Sequence, residues 1–384
     1  MINKTLLCFV CIVCSLNTVA QDSWCRQFEG TIGSTPISLV LHKWGHTYRG
    51  TYWYHSQHNP VSFTGDDTTQ KGRLVLNAFI GTAEEPERFT LQLRGDSLWG
   101  QWRPANRKAV RSVGLRVVQD HLPFTFITNS GTTRLRSRLK NSPVATYTGA
   151  AVWPVDTGAL AAVVKSAVRR CINTKNTTAH AETLLKNERK AFFDGYRSDN
   201  EAASDSEILA MSGTYNYDLD TRVDLFYTSP KLICITGFGY AYTGGAHGNY
   251  GTVYEVVDRI RQKRLRLADV LTAEGRKALP GLLATAFRKQ YGLKPNAPLS
   301  EGGLFENRIK PTDNFFLTEK LIGFTFQPYE IGPYVMGQID VTLSLAAINQ
   351  YLQPAYRAVP GSKAGAGKTS VIKKQPQTCK VLNS

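Results

Sequence analysis

The segment Tyr240-Ala241-Tyr242-Thr243-Gly244-Gly245-Ala246-His247-Gly248-Asn249 carries the residue types best suited to recognition in this chain. An apolar strand runs straight into three glycines around one histidine. Glycine permits positive φ and close backbone approach, so the chain can turn sharply and leave amide groups pointing outward. Two readings fit: a ligand-facing turn with His247 as its polar handle, or a structural turn whose histidine bonds backbone. An Ala-His pair between glycines supplies neither a nucleophile nor a second base, which argues against catalysis and for the structural turn.

Other spacings are weaker. His42 and His46 lie four apart, but Gly45 breaks the strand between them. His55 and His58 sit in an expected hairpin turn, with Asp66 and Asp67 the nearest carboxylates, and exposed turn histidines usually bind nothing. Ser362-Lys363-Ala364-Gly365-Ala366-Gly367-Lys368-Thr369 imitates a phosphate loop, yet its first glycine is a serine and no strand precedes it. GxSxG, HExxH and CxxC are absent from the sequence. No metal or cofactor is expected. A carboxylate pair for glycoside hydrolysis can come from distant positions, so a hydrolase acting on cell-wall glycan stays as the alternative.

These residues need a frame. Lys4, the apolar run Thr5 to Leu16 and the small residues Thr18-Val19-Ala20 read as a cleaved signal peptide over residues 1–20, too short to span a bilayer. An exported protein in the periplasm or on the outer surface of a bacterial cell is expected, with no transmembrane span. Removal of the leader leaves Cys25, Cys171, Cys234 and Cys379. Cys171 falls on a helical apolar stripe and Cys234 inside an apolar strand, where free thiols are common, so full pairing is not expected.

The length suggests two domains. Residues 21–118 form an aromatic-rich β domain, a sandwich or small barrel, with strands such as Ile37 to Leu41, Tyr48 to Tyr54, Leu74 to Phe79, Phe89 to Leu93 and Leu98 to Trp102. Alternation places Tyr52 and Tyr54 on one face and Trp53 on the other, so each face needs packing or a partner. Residues 119–144 read as a basic linker. Residues 145–356 form a larger domain of mainly antiparallel sheet with packed helices, in two halves at about 145–245 and 246–356, which makes the fold class α+β. Its expected elements are a helix capped by Asp156, a second helix ending near Phe193, and strands Val223 to Thr228 and Leu232 to Thr243. Further strands follow near Thr252 to Val257 and Ile322 to Pro328, with a helix through Leu279 to Phe287 and a last helix from Leu345 to Leu352. Residues 357–384 read as a disordered basic tail. The two domains are expected to fold separately.

The YxYTGGAHG run, the strand ending in Asp258 and the segment Leu265-Arg266-Leu267-Ala268-Asp269-Val270-Leu271 resemble the extracellular domain shared by RsiV-type anti-sigma factors and PdaC-type peptidoglycan deacetylases. A closing pattern, Phe324-Thr325-Phe326-Gln327-Pro328-Tyr329-Glu330-Ile331-Gly332-Pro333-Tyr334-Val335-Met336-Gly337, agrees in order and spacing. Trp153-Pro154 and the helix after it resemble the half-domain that precedes it, so the likeness spans about residues 145–356. The sigma-binding segment and membrane helix of the anti-sigma factors have no counterpart here, nor has the metal-binding domain of the deacetylases. The resemblance therefore implies a sensing or binding role, and lysozyme as a partner. The net charge of +16 opposes a cationic lysozyme.

The sequence thus predicts an exported envelope binding protein whose ligand is a protein or a peptidoglycan-type glycan, with no nucleic acid partner. Its site residues are Tyr240, Tyr242, Gly244, Gly245, His247, Asn249, Tyr329 and Tyr334. Tyrosine gives large contact area at small entropic cost, although a core would suit the same tyrosines.

Overall fold

The computed structural model describes residues 23–357, apart from 80–84, 106–108, 120–121, 173–174 and 177. The expected leader and the tail from residue 358, with Cys379 and the phosphate-loop imitation, lie outside the described residues. Eight short strands come first: β1 (Ser23–Ile32), β2 (Thr35–Trp44), β3 (Thr47–Tyr54), β4 (Val61–Asp67), β5 (Arg73–Ala78), β6 (Glu87–Arg94), β7 (Ser97–Arg103) and β8 (Arg111–Val117). Each pairs antiparallel with the next, and β1 returns to β8 through Phe28 opposite Val117, so the meander closes into a barrel. Phe28, Tyr52, Phe63 and Phe89 fill its interior, as the period-2 pattern requires.

A six-stranded sheet follows. Its strands are β9 (Phe124–Arg134), β10 (Val144–Pro154), β11 (Tyr217–Thr228), β12 (Leu232–Tyr242), β13 (Asn249–Asp258) and β14 (Lys263–Arg264), in the order β14-β13-β12-β11-β10-β9. Only β10 and β11 run parallel. Parallel neighbours need a crossover, supplied by α1 (Ala159–Ile172), α2 (Ala181–Asp199) and α3 (Asp205–Ala210). Helices α1 and α2 cover one face of the sheet. A third layer consists of α4 (Leu267–Val270), α5 (Ala273–Gln290) and a small antiparallel sheet of β15 (Phe315–Leu317), β16 (Leu321–Phe326) and β17 (Ile339–Ser344). The fold is α+β, and among the described residues no helix is long and apolar enough to cross a membrane.

Several expectations need correcting. The segment read as a linker supplies β9, which pairs with β10 from Val144 opposite Arg134 to Pro154 opposite Phe124. Its Thr and Ser residues hid the strand because one face of the sheet is polar. Its Arg136 is structural: the guanidinium donates to the carbonyls of Asn200 (2.9 Å), Glu201 (3.2 Å) and Ala203 (3.1 Å). The proposed halves share one sheet, because the β12–β13 hairpin crosses their boundary. Asp156 accepts from the amides of Thr157 and Gly158, so it closes a turn ahead of α1 rather than capping it. Residues 345–352 form turns and a short 3-10 segment (Asn349–Tyr351), since Leu352 must bridge to Leu271.

Barrel and sheet also share a core. Val40 and Trp53 point out of the barrel into the apolar cluster that contains Phe226, Tyr227 and Val256. The Trp53 ring lies 4.8 Å from that of Tyr227. Around this contact His58 Nδ1 meets the Tyr227 hydroxyl at 2.6 Å, and Arg49 Nε donates to Asp224 at 2.8 Å. Cys25, Cys171 and Cys234 are free thiols.

Candidate functional site

Alternation along β11 sorts its side chains between two faces. Thr221, Val223 and Leu225 are buried, on the side where a side chain at the neighbouring Gly237 would meet Cys171 of α1. Asp218, Asp220, Arg222 and Asp224 therefore face the opposite side, and the register sets Tyr242 beside Asp218, Tyr240 beside Asp220 and Phe238 beside Arg222. Tyr250 of β13 pairs with Tyr240. This face carries the candidate site.

The β12–β13 turn stands at its edge. Gly244 and Gly245 adopt φ of 90° and 95°, a left-handed conformation that costs glycine nothing. The Tyr242 hydroxyl donates to the Gly245 carbonyl at 3.0 Å, and the Asn249 side chain accepts from the Tyr250 amide at 3.0 Å. His247 Nδ1 donates to the Gly248 carbonyl at 3.0 Å. The Tyr334 hydroxyl donates to the same oxygen at 2.8 Å. Its ring stacks on His247 with centroids 4.1 Å apart and planes 24° apart. Tyr329, 55% exposed, lies 5.5 Å from Tyr334. The structure thus brings His247, Tyr329 and Tyr334 together, while Tyr242, Gly244, Gly245 and Asn249 shape the turn and Tyr240 packs under it.

The loop carrying Tyr329 and Tyr334 is held by side chains that imitate a strand. Strand β14 pairs only with Val257 and Asp258, so the outer edge of β13 before them has no strand neighbour. Gln327 takes that place, accepting from the Thr252 amide at 2.9 Å and donating to its carbonyl at 2.6 Å. Asn314 accepts from the Tyr254 amide at 2.9 Å and donates to the Thr252 carbonyl at 2.7 Å. Tyr329 itself sits at φ 69°, a conformation a non-glycine residue adopts only when its surroundings impose it.

The sequence reading missed the rest of the face. Arg222 lies 4.4 Å over Phe238, Phe238 is 6.3 Å from Tyr250, and Tyr250 meets the Tyr334 edge at 6.1 Å. Arg222 pairs with Asp220 at 2.7 Å. Burial lifts the Asp220 carboxyl above its ordinary range against the pull of Arg222 and Arg49. Burial and the Asp220 charge lift Asp218 as well. The signal was present in Asp218-Leu219-Asp220-Thr221-Arg222-Val223-Asp224, a charged-apolar alternation that marks a strand with one polar face. Among the described residues no three His, Cys, Asp or Glu side chains gather as a metal site. His46 approaches Asp67 at 3.3 Å, and His55 stacks on His58 with centroids 6.2 Å apart.

One position tests how tightly the turn is built. A Cβ on Gly248 would lie 2.4 Å from the Tyr240 ring, whereas one on Gly239 would meet nothing within 4 Å. Gly248→Ala is expected to destabilise the protein by about 1–3 kcal/mol, the usual penalty of overpacking. Gly239→Ala should be near neutral. Urea denaturation of the two variants checks the contrast, and equal midpoints would refute the packing.

Residues 268–346 match a family described as a protein of unknown function, DUF3298. The matched segment contains α5, the small sheet and both tyrosines of the pinned loop. A crystal structure of a DUF3298 family member from Bacteroides fragilis is similar at 24% identity and a TM-score of 0.55, covering 61% of this chain and 94% of that one. A DUF3298 family protein from Pseudomonas aeruginosa PAO1 is similar at 18% identity and a TM-score of 0.44, covering 62% of this chain and 98% of that one. The first likeness is one of fold. No curated protein matches the sequence.

Proposed function

We propose that this protein is exported and binds an envelope ligand, a protein or a cell-wall glycan, through the shelf formed by His247, Tyr329 and Tyr334. The observation that carries the reading is Tyr329: a large aromatic, 55% exposed, held at positive φ beside a stacked His247–Tyr334 pair. An exposed ring on a fixed frame loses little entropy on binding. The leader-like N-terminus supports export. The resemblance to RsiV-type and PdaC-type extracellular domains supports a binding or sensing role, and its motifs coincide with the shelf. The hydrolase alternative would rest on Asp218 and Asp220, but Asp220 is already paired with Arg222 at 2.7 Å.

Co-sedimentation with purified peptidoglycan sacculi and titration with a common animal-type lysozyme test the proposal. Tyr329→Ala and Tyr334→Ala are each expected to weaken binding by at least ~30-fold, or about 2 kcal/mol. Lysozyme is expected to bind poorly, since both partners are cationic. Binding unaffected by either substitution, or release of soluble fragments from the sacculi, would overturn the reading.

A further inference from the structure

The outer face of the barrel over β5 to β8 has a segregated charge pattern. Within these four strands the single acid is Glu87, and it serves the barrel interior by accepting from the Tyr52 hydroxyl and from Trp102 Nε1. The exposed charged positions are all arginines: Arg73, Arg88, Arg94, Arg103, Arg111 and Arg116. Arg88 and Arg103 are direct cross-strand partners. Like charges placed opposite each other on a sheet repel and destabilise it, and neither arginine has a carboxylate partner among the described residues. Arg88 Nε donates to Asn77 at 3.1 Å, and Arg73 donates to Gln70 at 3.0 Å. These neutral acceptors orient the guanidinium groups and leave their charge intact.

The same arginines line two adjoining hollows. One, of about 260 Å³, is lined by Arg88, Thr90, Gln101 and Arg103 together with Glu85, the one acid in its wall. The other, of about 540 Å³, shares Arg88 and Thr90 and continues to Arg73, Gln70 and Thr68. The register places Arg73 opposite Gln92 and Arg88 opposite Asn77, so the two arginines stand at opposite ends of the groove, roughly 13 Å apart at ~3.3 Å per residue. A single small anion would reach only one end.

We propose that this face is a groove for a linear phosphate-bearing polymer, with Arg88 and Arg103 clamping one phosphate and Arg73 receiving another farther along the chain. Guanidinium forks match phosphate oxygens bidentately. An anion between Arg88 and Arg103 also cancels the repulsion that the empty sheet bears. The groove lies on the barrel and is independent of the aromatic shelf.

Linear inorganic polyphosphate is the probe, titrated against the whole protein in phosphate-free buffer at several salt concentrations. Arg88→Gln and Arg103→Gln are each expected to weaken binding at least ~10-fold at low salt and to lower the slope of log K against log salt by about 0.7–0.9. Without polyphosphate, both variants should melt at or above the temperature of the unaltered protein, because removing one charge relieves the pair. Polyphosphate should raise the melting temperature of the unaltered protein more than theirs. Lys277→Gln, an exposed charge on α5, should change none of these. An equal loss of binding in Lys277→Gln, variants that bind like the unaltered protein, orthophosphate binding as tightly as the polymer, or tighter binding of duplex DNA of equal phosphate content would each overturn the proposal.

Discussion

Trp53→Ala is expected to destabilise the whole chain by about 3–5 kcal/mol, the usual loss for a large aromatic removed from a packed core. Trp53 is 2% exposed although it points away from the barrel interior. It fills the seam against Tyr227, alongside Val40, so its loss opens a cavity between two layers rather than within one. The hydrogen bonds His58–Tyr227 and Arg49–Asp224 cross the same seam, and Lys320 in the β15–β16 turn of the small sheet donates to the Ser56 carbonyl of the barrel beside it. Unfolding in urea, followed by both tryptophan fluorescence and far-ultraviolet circular dichroism, should give coincident transitions for the unaltered protein. For the variant the transitions should shift to lower urea or separate. A shift worth less than about 0.5 kcal/mol, within the range of ordinary surface substitutions, would show that barrel and sheet are energetically independent.

The second large effect is a pH dependence of stability carried by His42, which is 1% exposed at the same seam. Its Nε2 accepts the Leu225 amide at 3.2 Å, which leaves the proton on Nδ1, facing the Arg49 carbonyl at 3.3 Å. Burial pushes the imidazole down to about 4; Asp224 favours the charged form, and the Arg49 charge opposes it. In the unfolded chain the ordinary value near 6.5 returns. Above pH 6.5 the ring is neutral in both states and the full stability is present. As pH falls from 6.5 to 4 the unfolded chain takes up a proton that the native state refuses, and about 3 kcal/mol is lost. Asp218 and Asp220, whose carboxyls are raised in the fold, act in the opposite sense by favouring the native state as they protonate. His42→Gln separates these contributions. Its stability at pH 7 falls because the Leu225 amide is less well met, but its slope between pH 6.5 and 4 should flatten relative to the unaltered protein. Parallel slopes would mean that His42 charges freely inside the fold.

Much of the local structure was legible in the residues. Most barrel strands were readable because they alternate, as β4 to β8 do, and the punctuating glycines and turns bounded them. The hairpin Val223 to Thr228 and Leu232 to Thr243 was readable for the same reason, as were the helices through Val164 and Leu283. Alternation also required that Trp53 and Tyr52 face different surroundings. The polar strand β9 was missed because its Thr- and Ser-bearing face is not apolar, and hydrophobic periodicity finds only faces that pack. The alternating charges of Asp218 to Asp224 were visible but went unused, because charge on a strand marks a polar face without saying what it meets.

Local propensity determined that strands such as Tyr48 to Tyr54 and Phe89 to Leu93 would be β and that His247 would stand in a glycine turn, because φ/ψ preference and one-face burial act over a few residues. Tertiary structure alone decided the rest. Pairing of β1 with β8 turned a meander into a barrel, and the partner of Trp53 proved to be Tyr227 of the sheet rather than another molecule. Tyr334 met His247 only because Gln327 and Asn314 bind the open edge of β13. Arg88 met Arg103 because two strands happen to share a register. Such contacts join residues far apart in the chain, and the preferences of neighbouring residues carry no record of which distant strand or loop will close the gap.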